Sequence, residues 1–246
     1  MDNNNNNMNF NLSNQPGLAG ATQTRSFLSG VFSWMGIALA ISAVTAYVFG
    51  TDMSYMSYLI NEESGGMSGI GYVVMFAPLG LVLLMGMGFN KLSATAMTGV
   101  FLLYSIIMGV SLSFIFLAYT QSVIYQVFFI AAAMFGTMAL VGYTTKTDLT
   151  KMGSLLFMAL IGIVIASLVN MFMKSDGLSY IISFIAVIVF TGLTAYDVQK
   201  LKNIGTTIEA GTEATAKMSI LGALTLYLDF INLFLALLRI FGGRRD

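Results

Sequence analysis

Seven times between residues 30 and 240 the chain runs through an apolar stretch close to the ~20 residues a helix needs to cross a bilayer. The stretches are roughly 30–50, 70–90, 95–118, 122–142, 153–173, 179–199 and 218–240. Lipid offers the backbone no hydrogen bonds, and a helix satisfies its own polar groups within one segment. An all-α polytopic membrane protein with seven transmembrane helices is therefore expected. Only Tyr119, Thr120, Gln121 and Ser122 separate the third stretch from the fourth. One helix through both would be ~70 Å long, far more than a bilayer's thickness, so a tight turn is predicted there.

Composition narrows the class further. Hydrophobic residues make up 57% of the chain and charged residues 9%, where soluble domains carry about 25% charged. Net charge is zero, so no electrostatic argument favours nucleic acid or an acidic partner. The absence of His and Cys removes disulfides, thiolate chemistry and the usual zinc ligands. With only two prolines, hinges must come from glycine or loops.

Residues 1–29 include the run Asn3 to Asn7 and are too polar to pack, so a disordered tail is expected there. No basic region leads into a short apolar core and cleavage site, so the first apolar segment should remain as an anchor. The membrane domain should cover 30–241, with a short basic tail at 242–246. Small residues recur at helix spacing in the first segment: Gly36 and Ala40, then Ala38, Ser42 and Ala46. Gly162 and Ala166 repeat the pattern in the fifth, and both predict close helix approach.

Short loops set orientation through their Lys and Arg. A cytoplasmic N-terminus places Arg25, Lys91, Lys146, Lys151, Lys200, Lys202 and Lys217 inside. Outside, before the C-terminus, only Lys174 remains. Arg239, Arg244 and Arg245 run against this pattern, leaving two readings of the last segment: a span, or a segment that re-enters and returns.

Two acids lie within apolar segments, Asp197 in the sixth and Asp229 in the seventh. A charge at bilayer depth costs roughly 2.5–3.5 kcal/mol on insertion scales and commonly marks an ion or proton path. Asp197 has a plainer alternative, an acid near a helix end that snorkels or pairs with Lys200. Asp229 has one too, a neutral acid hydrogen-bonded to a neighbouring helix. If the sixth and seventh helices pack antiparallel, the two carboxyls share a proton and titrate as a pair. Deprotonated, they form a hard-oxygen site for a divalent cation. Calcium takes 6–8 oxygens, so two Asp make a weak, hydrated site. Thr225 and Asn232 lie one turn to either side of Asp229 and are candidate supporting groups.

Other polar groups read more plainly. The loop at 142–153, with Lys146, Asp148 and Lys151, reads as a solvated turn with a helix cap, or else as a gate or partner site. Asn170 is expected to bond across helices. Trp34, Tyr47, Tyr55, Tyr58, Tyr72 and Tyr119 read as interfacial anchors.

Five stretches together resemble the Bax-inhibitor family, also called the transmembrane Bax inhibitor motif family, on its prokaryotic branch. They are GVSLSFIF at 109–116, FGTMALVGYTTKTDLTKMG at 135–153, LIGIVIASLVNMF at 160–172, TAYDVQKLK at 194–202 and LYLDFINLFLALLRIFG at 226–242. The resemblance implies a seven-helix bundle with the last helix near its centre, in a bacterial inner membrane. It also implies a pH-sensitive calcium leak whose sensor and cation path are formed by the positions matching here as Asp197 and Asp229. Calcium is then the permeant or bound ion, with no other cofactor, and a membrane protease is a candidate partner. Some members carry an arginine in the second helix that helps hold the aspartates closed. The matching segment here, APLGLVLLMGMGFNKLS, has no charge before Lys91. A latch in this chain would lean on protonation and polar neighbours instead.

Two other functions compete with a leak. A non-transporting regulator would act on a membrane protease or another partner through its polar loops. An intramembrane aspartyl protease also needs two acids, but that class expects Gly-x-Gly-Asp before the second acid. Here Leu226, Tyr227 and Leu228 precede Asp229, so no enzyme activity is expected.

Overall fold

The computed structural model describes residues 16–61 and 66–242, with side chains from residue 20 onward. Seven of its helices are long and apolar enough to cross a membrane. In chain order the elements are α1 (Pro16–Thr51), α2 (Met53–Met56), β1 (Ile60–Asn61), β2 (Gly66–Met67), α3 (Gly69–Met87) and α4 (Ala94–Leu112). They continue with α5 (Ile115–Ala118), α6 (Gln121–Thr144), α7 (Thr150–Met173), α8 (Asp176–Thr207) and α9 (Glu213–Phe241). The expected break between the third and fourth spans is present: α5 ends at Ala118 and α6 starts at Gln121. β1 and β2 form a small antiparallel hairpin in the 51–69 connection.

Hydroxyl caps fix several helix starts. The side chains of Ser68, Ser93, Ser175 and Thr212 accept from the backbone N–H of Gly71, Ala96, Leu178 and Thr215. Each satisfies a donor the first turn leaves unpaired.

Three expectations need correction. Residues 16–29, assigned to a disordered tail, are helical: α1 starts at Pro16, and Thr24, Phe27 and Leu28 are buried. Thr24 and Phe27 pack against Gly205 near the end of α8, so polarity along the chain understated what this turn could bury. Residues 1–15 and 243–246 lie outside the described residues. The sixth span does not end near 199; α8 continues to Thr207. The small-residue stripes divide: Ala38, Ser42 and Ala46 are buried, and Ser42 and Thr45 meet Gly109 of α4. Gly36, Ala40 and Gly162 instead face outward, Ala166 is half-buried, and no neighbouring helix crowds Gly36 or Gly162.

α9 packs against α1, α4, α6 and α8. Of its most apolar stretch 72% is buried, against 6% for α7. Its 29 residues form one helix, about 43 Å long. One end lies beside the 88–93 loop, where the Lys217 ammonium donates to the carbonyls of Phe89 (3.2 Å) and Leu92 (3.0 Å). There Glu213 also accepts from the Ala94 N–H (3.0 Å). At the other end Gly242 meets the Tyr119 ring. The last segment therefore traverses the bundle, and re-entry is excluded.

Candidate functional site: a carboxyl pair in an α7–α8–α9 cleft

Beyond their first turns α8 and α9 carry one acid each, and their antiparallel packing brings those acids together. Asp197 and Asp229 are each 5% exposed, and their carboxyl groups lie within hydrogen-bonding reach of one another. The Oδ2 of Asp229 is buried with no hydrogen-bond partner. Asp197 is no helix-end acid: ten residues of α8 follow it, about 15 Å of helix. It does not ion-pair with Lys200, whose ammonium sits 5.9 Å from the centre of the Tyr196 ring.

Both carboxyls line a cleft of about 670 Å³ bounded by α7, α8 and α9. Phe157, Leu160 and Val164 supply an apolar wall from α7, and Thr225 and Asn232 line it from α9. Those two residues are the candidate supporting groups, able to add an oxygen or a hydrogen bond. Their donors are spent on their own helix. Thr225 Oγ1 donates to the Leu221 carbonyl (3.0 Å) and Asn232 Nδ2 to that of Leu228 (2.8 Å). Asn232 Oδ1 is left as an oxygen of the cleft. Among the described residues no group of three His, Cys, Asp or Glu side chains could hold a metal. The side-chain oxygens lining the cleft are those of the two carboxyls, the Asn232 amide and the Ser167 and Thr225 hydroxyls, of which only the carboxyls can carry charge to a cation.

The chain order hides how Asp197 is positioned. Gly142 of α6 lies against the backbone of Ala195, and Gly153 of α7 against the ring of Tyr196. These glycines seat the two residues just before Asp197, and a side chain at Gly142 would push α6 off α8. Just after the acid, Gln199 is buried. Its Oε1 accepts from the Leu149 N–H (2.9 Å), and its Nε2 donates to the Thr147 carbonyl (2.8 Å). The 145–149 loop is therefore tied to the helix that carries Asp197. Within that loop Asp148 Oδ1 accepts from the Thr150 N–H (2.9 Å) and hydroxyl (2.6 Å). These bonds hold its carboxyl below the usual carboxylate range. Lys146 and Lys151 are exposed, so the loop is a solvated, capped turn.

Residues 24–246 match the family model described as "Inhibitor of apoptosis-promoting Bax1". The chain belongs to the Bax-inhibitor family. The inner membrane protein YbhL of Escherichia coli is 49% identical over 222 residues, 90% of this chain and 93% of that one. A Borreliella burgdorferi protein is 47% identical, covering 89% and 93% of the two chains. One from Rickettsia prowazekii is 43% identical, covering 90% and 91%. With seven apolar helices, this Bax-inhibitor-family protein is an integral membrane protein.

One buried polar cluster in this family member escaped the sequence reading. The Ser42 hydroxyl donates to the Ser105 carbonyl (2.7 Å) and lies 2.7 Å from the Tyr227 hydroxyl, which is left as the donor. The Tyr104 ring stands edge-on to that of Tyr227 at 5.4 Å, and the Tyr104 hydroxyl is buried without a partner. Both tyrosines are fully buried. The available signal was their place in mid-segment, where a tyrosine is not an interfacial anchor. Asn170 behaves as expected, its Nδ2 donating to Ser179 Oγ of α8 (2.8 Å).

Proposed function

We propose that this protein is a pH-sensitive calcium leak gated by Asp197 and Asp229. The observation carrying this reading is the contact between two buried carboxyls, one with an unpartnered oxygen, in a cleft of about 670 Å³. Two carboxyls at such range cannot both ionise cheaply, so they titrate as a unit. With a proton between them the pair is a closed latch. Without it, the pair is a two-carboxylate stop for a divalent cation that keeps part of its water. Two carboxylates hold such a cation weakly, which suits passage better than storage. In our reading the ends bearing Lys91, Lys146 and Lys217 face the cytoplasm with the N-terminus, following the positive-inside bias.

Calcium uptake into proteoliposomes between about pH 6 and pH 8 tests this, since the titrating pair should respond over an accessible window. Wild-type uptake should rise with pH, and Asp229→Asn and Asp197→Asn should flatten the profile. A profile unchanged in both variants would remove the pair from the gate.

A further inference from the structure

A second cavity, of about 470 Å³, lies where α7 ends, α8 begins and α9 ends. It shares Ser167 and Met171 with the cleft that holds the aspartates. One face of α9 leads from one to the other. Between residues 219 and 238 the less buried positions of α9 are Leu221, Thr225, Leu228, Asn232 and Leu235, and Arg239 extends the same line. Three of these six are polar, spaced seven residues apart, which returns to the same face after two turns.

The charges at the far end of this line have the wrong sign for a simple cation entrance. Lys174 and Arg239 both line the second cavity, against the one carboxylate of Asp176. Arg239 makes no ion pair or hydrogen bond with any other described residue. Lys174 is held in place by the turn: its N–H donates to the Asn170 carbonyl (2.7 Å), and Asn170 Oδ1 accepts from the Ser175 N–H (3.1 Å). Lys174 also has φ 50°, a left-handed conformation in which glycine is the unstrained choice. A lysine thus stands where glycine would be unstrained.

We infer that the cleft is open to water from its Lys174 end down to the aspartates, and that Arg239 and Lys174 form a positive filter at that mouth, slowing cations before they reach the pair. A net positive charge at the mouth of a cleft changes the local concentration of ions severalfold or more. The inference deepens the leak reading and rests on it for the flux measurement alone.

The chain has no cysteine, so an introduced one is the sole target for thiol reagents. The full-length Ser167→Cys variant, reconstituted in liposomes, is treated with a cationic and an anionic water-soluble methanethiosulfonate. The anionic reagent should react faster, and adding Arg239→Gln should shrink that preference about fivefold, the size expected for one charge acting through a wet cleft. Met171→Cys, lining the same two cavities, repeats the test should Ser167→Cys not fold. Ile161→Cys, on the outward face of α7, should stay unlabelled. Labelling at Ser167→Cys by a lipid-soluble maleimide alone means that lipid fills the cleft, and overturns the inference. So does equal reaction with both reagents, or equal labelling at Ile161→Cys. In flux, Arg239→Gln should raise calcium uptake about fivefold with the pH profile unmoved. A charge preference at Ser167→Cys with no calcium flux in any variant would sink the leak and leave the filter standing. Flux that responds to Asp229→Asn but not to Arg239→Gln would do the reverse.

Discussion

α7 and α9 both pass every compositional test for a membrane span, and the structure uses them in opposite ways. α9 packs against four other long helices and buries most of its residues, whereas α7 leans chiefly on α8 and leaves most of its residues partly exposed. Lipid tails are as apolar as leucine, so in a bilayer greasiness does not distinguish an inner helix from an outer one. Polar groups do. Tyr227, Asp229 and Asn232 lie in the middle of α9, while the middle of α7 offers no charge and few hydroxyls. The acid pair is therefore mounted on rigid, enclosed helices, with the loosely held α7 forming one wall of its cleft.

Truncation should expose this contrast most strongly. Phe230 is 2% exposed and meets Phe128 and Phe135 edge-on at 5.3 and 5.7 Å. Phe230→Ala should cost about 3–5 kcal/mol through the cavity it leaves. Phe172→Ala, on an α7 side chain that is 81% exposed, should stay within about 0.5 kcal/mol of wild type. Unfolding in mixed micelles measures both, and equal losses would break the contrast.

Adding bulk probes the same difference more gently. Gly142→Val drives a side chain into the backbone of Ala195 and should cost about 1–3 kcal/mol. Gly162→Val on α7 meets open space and should be close to neutral. Because Ala195 precedes Asp197 by two residues, Gly142→Val should also shift the pH profile of calcium uptake. A destabilised variant with an unshifted profile would show that α6 supports the fold without positioning the acid.

The smallest expected effect is at the head of α7, where Asp148 bonds to Thr150. Asp148 has a folded pKa below the ordinary 3.8 because it accepts twice from Thr150. A lowered folded pKa means that the bonds stabilise the cap fully above the unfolded value and are lost as pH falls through the folded one. The Thr150 amide should stay protected from exchange on acidification past 3.8 and open only below it. In Asp148→Asn that acid transition should vanish. An identical transition in the variant would assign it to another carboxyl.

Much of this could be read along the chain. The span count, the turn before Gln121, a solvated loop within 142–153 (narrowed by the structure to 145–149) and the two acids at depth all follow from local runs of apolar residues and their interruptions. Less legible were features that depend on what lies opposite. Gly36 and Ala38 look equivalent in sequence, yet Ala38 is fully buried and Gly36 faces out. The Tyr104–Tyr227 contact joins residues from the third and seventh spans, and Gln199 bonds a loop some fifty residues earlier. Thr225 and Asn232 line the cleft beside Asp229, but their donors go to carbonyls four residues back, a local bond that competes with any bond to a neighbouring helix.

By itself the sequence determined that this chain lives in lipid, how often it can cross, and that two carboxyls must be tolerated at depth, because each of these depends on one segment's free energy of transfer. Only the tertiary structure decided that the carboxyls meet, that α9 is enclosed while α7 is not, and that Arg239 stands at the end of the polar face leading to the pair. Helix pairing in a membrane is set by close packing and matched polar groups, quantities that belong to two surfaces at once and are written in neither segment alone.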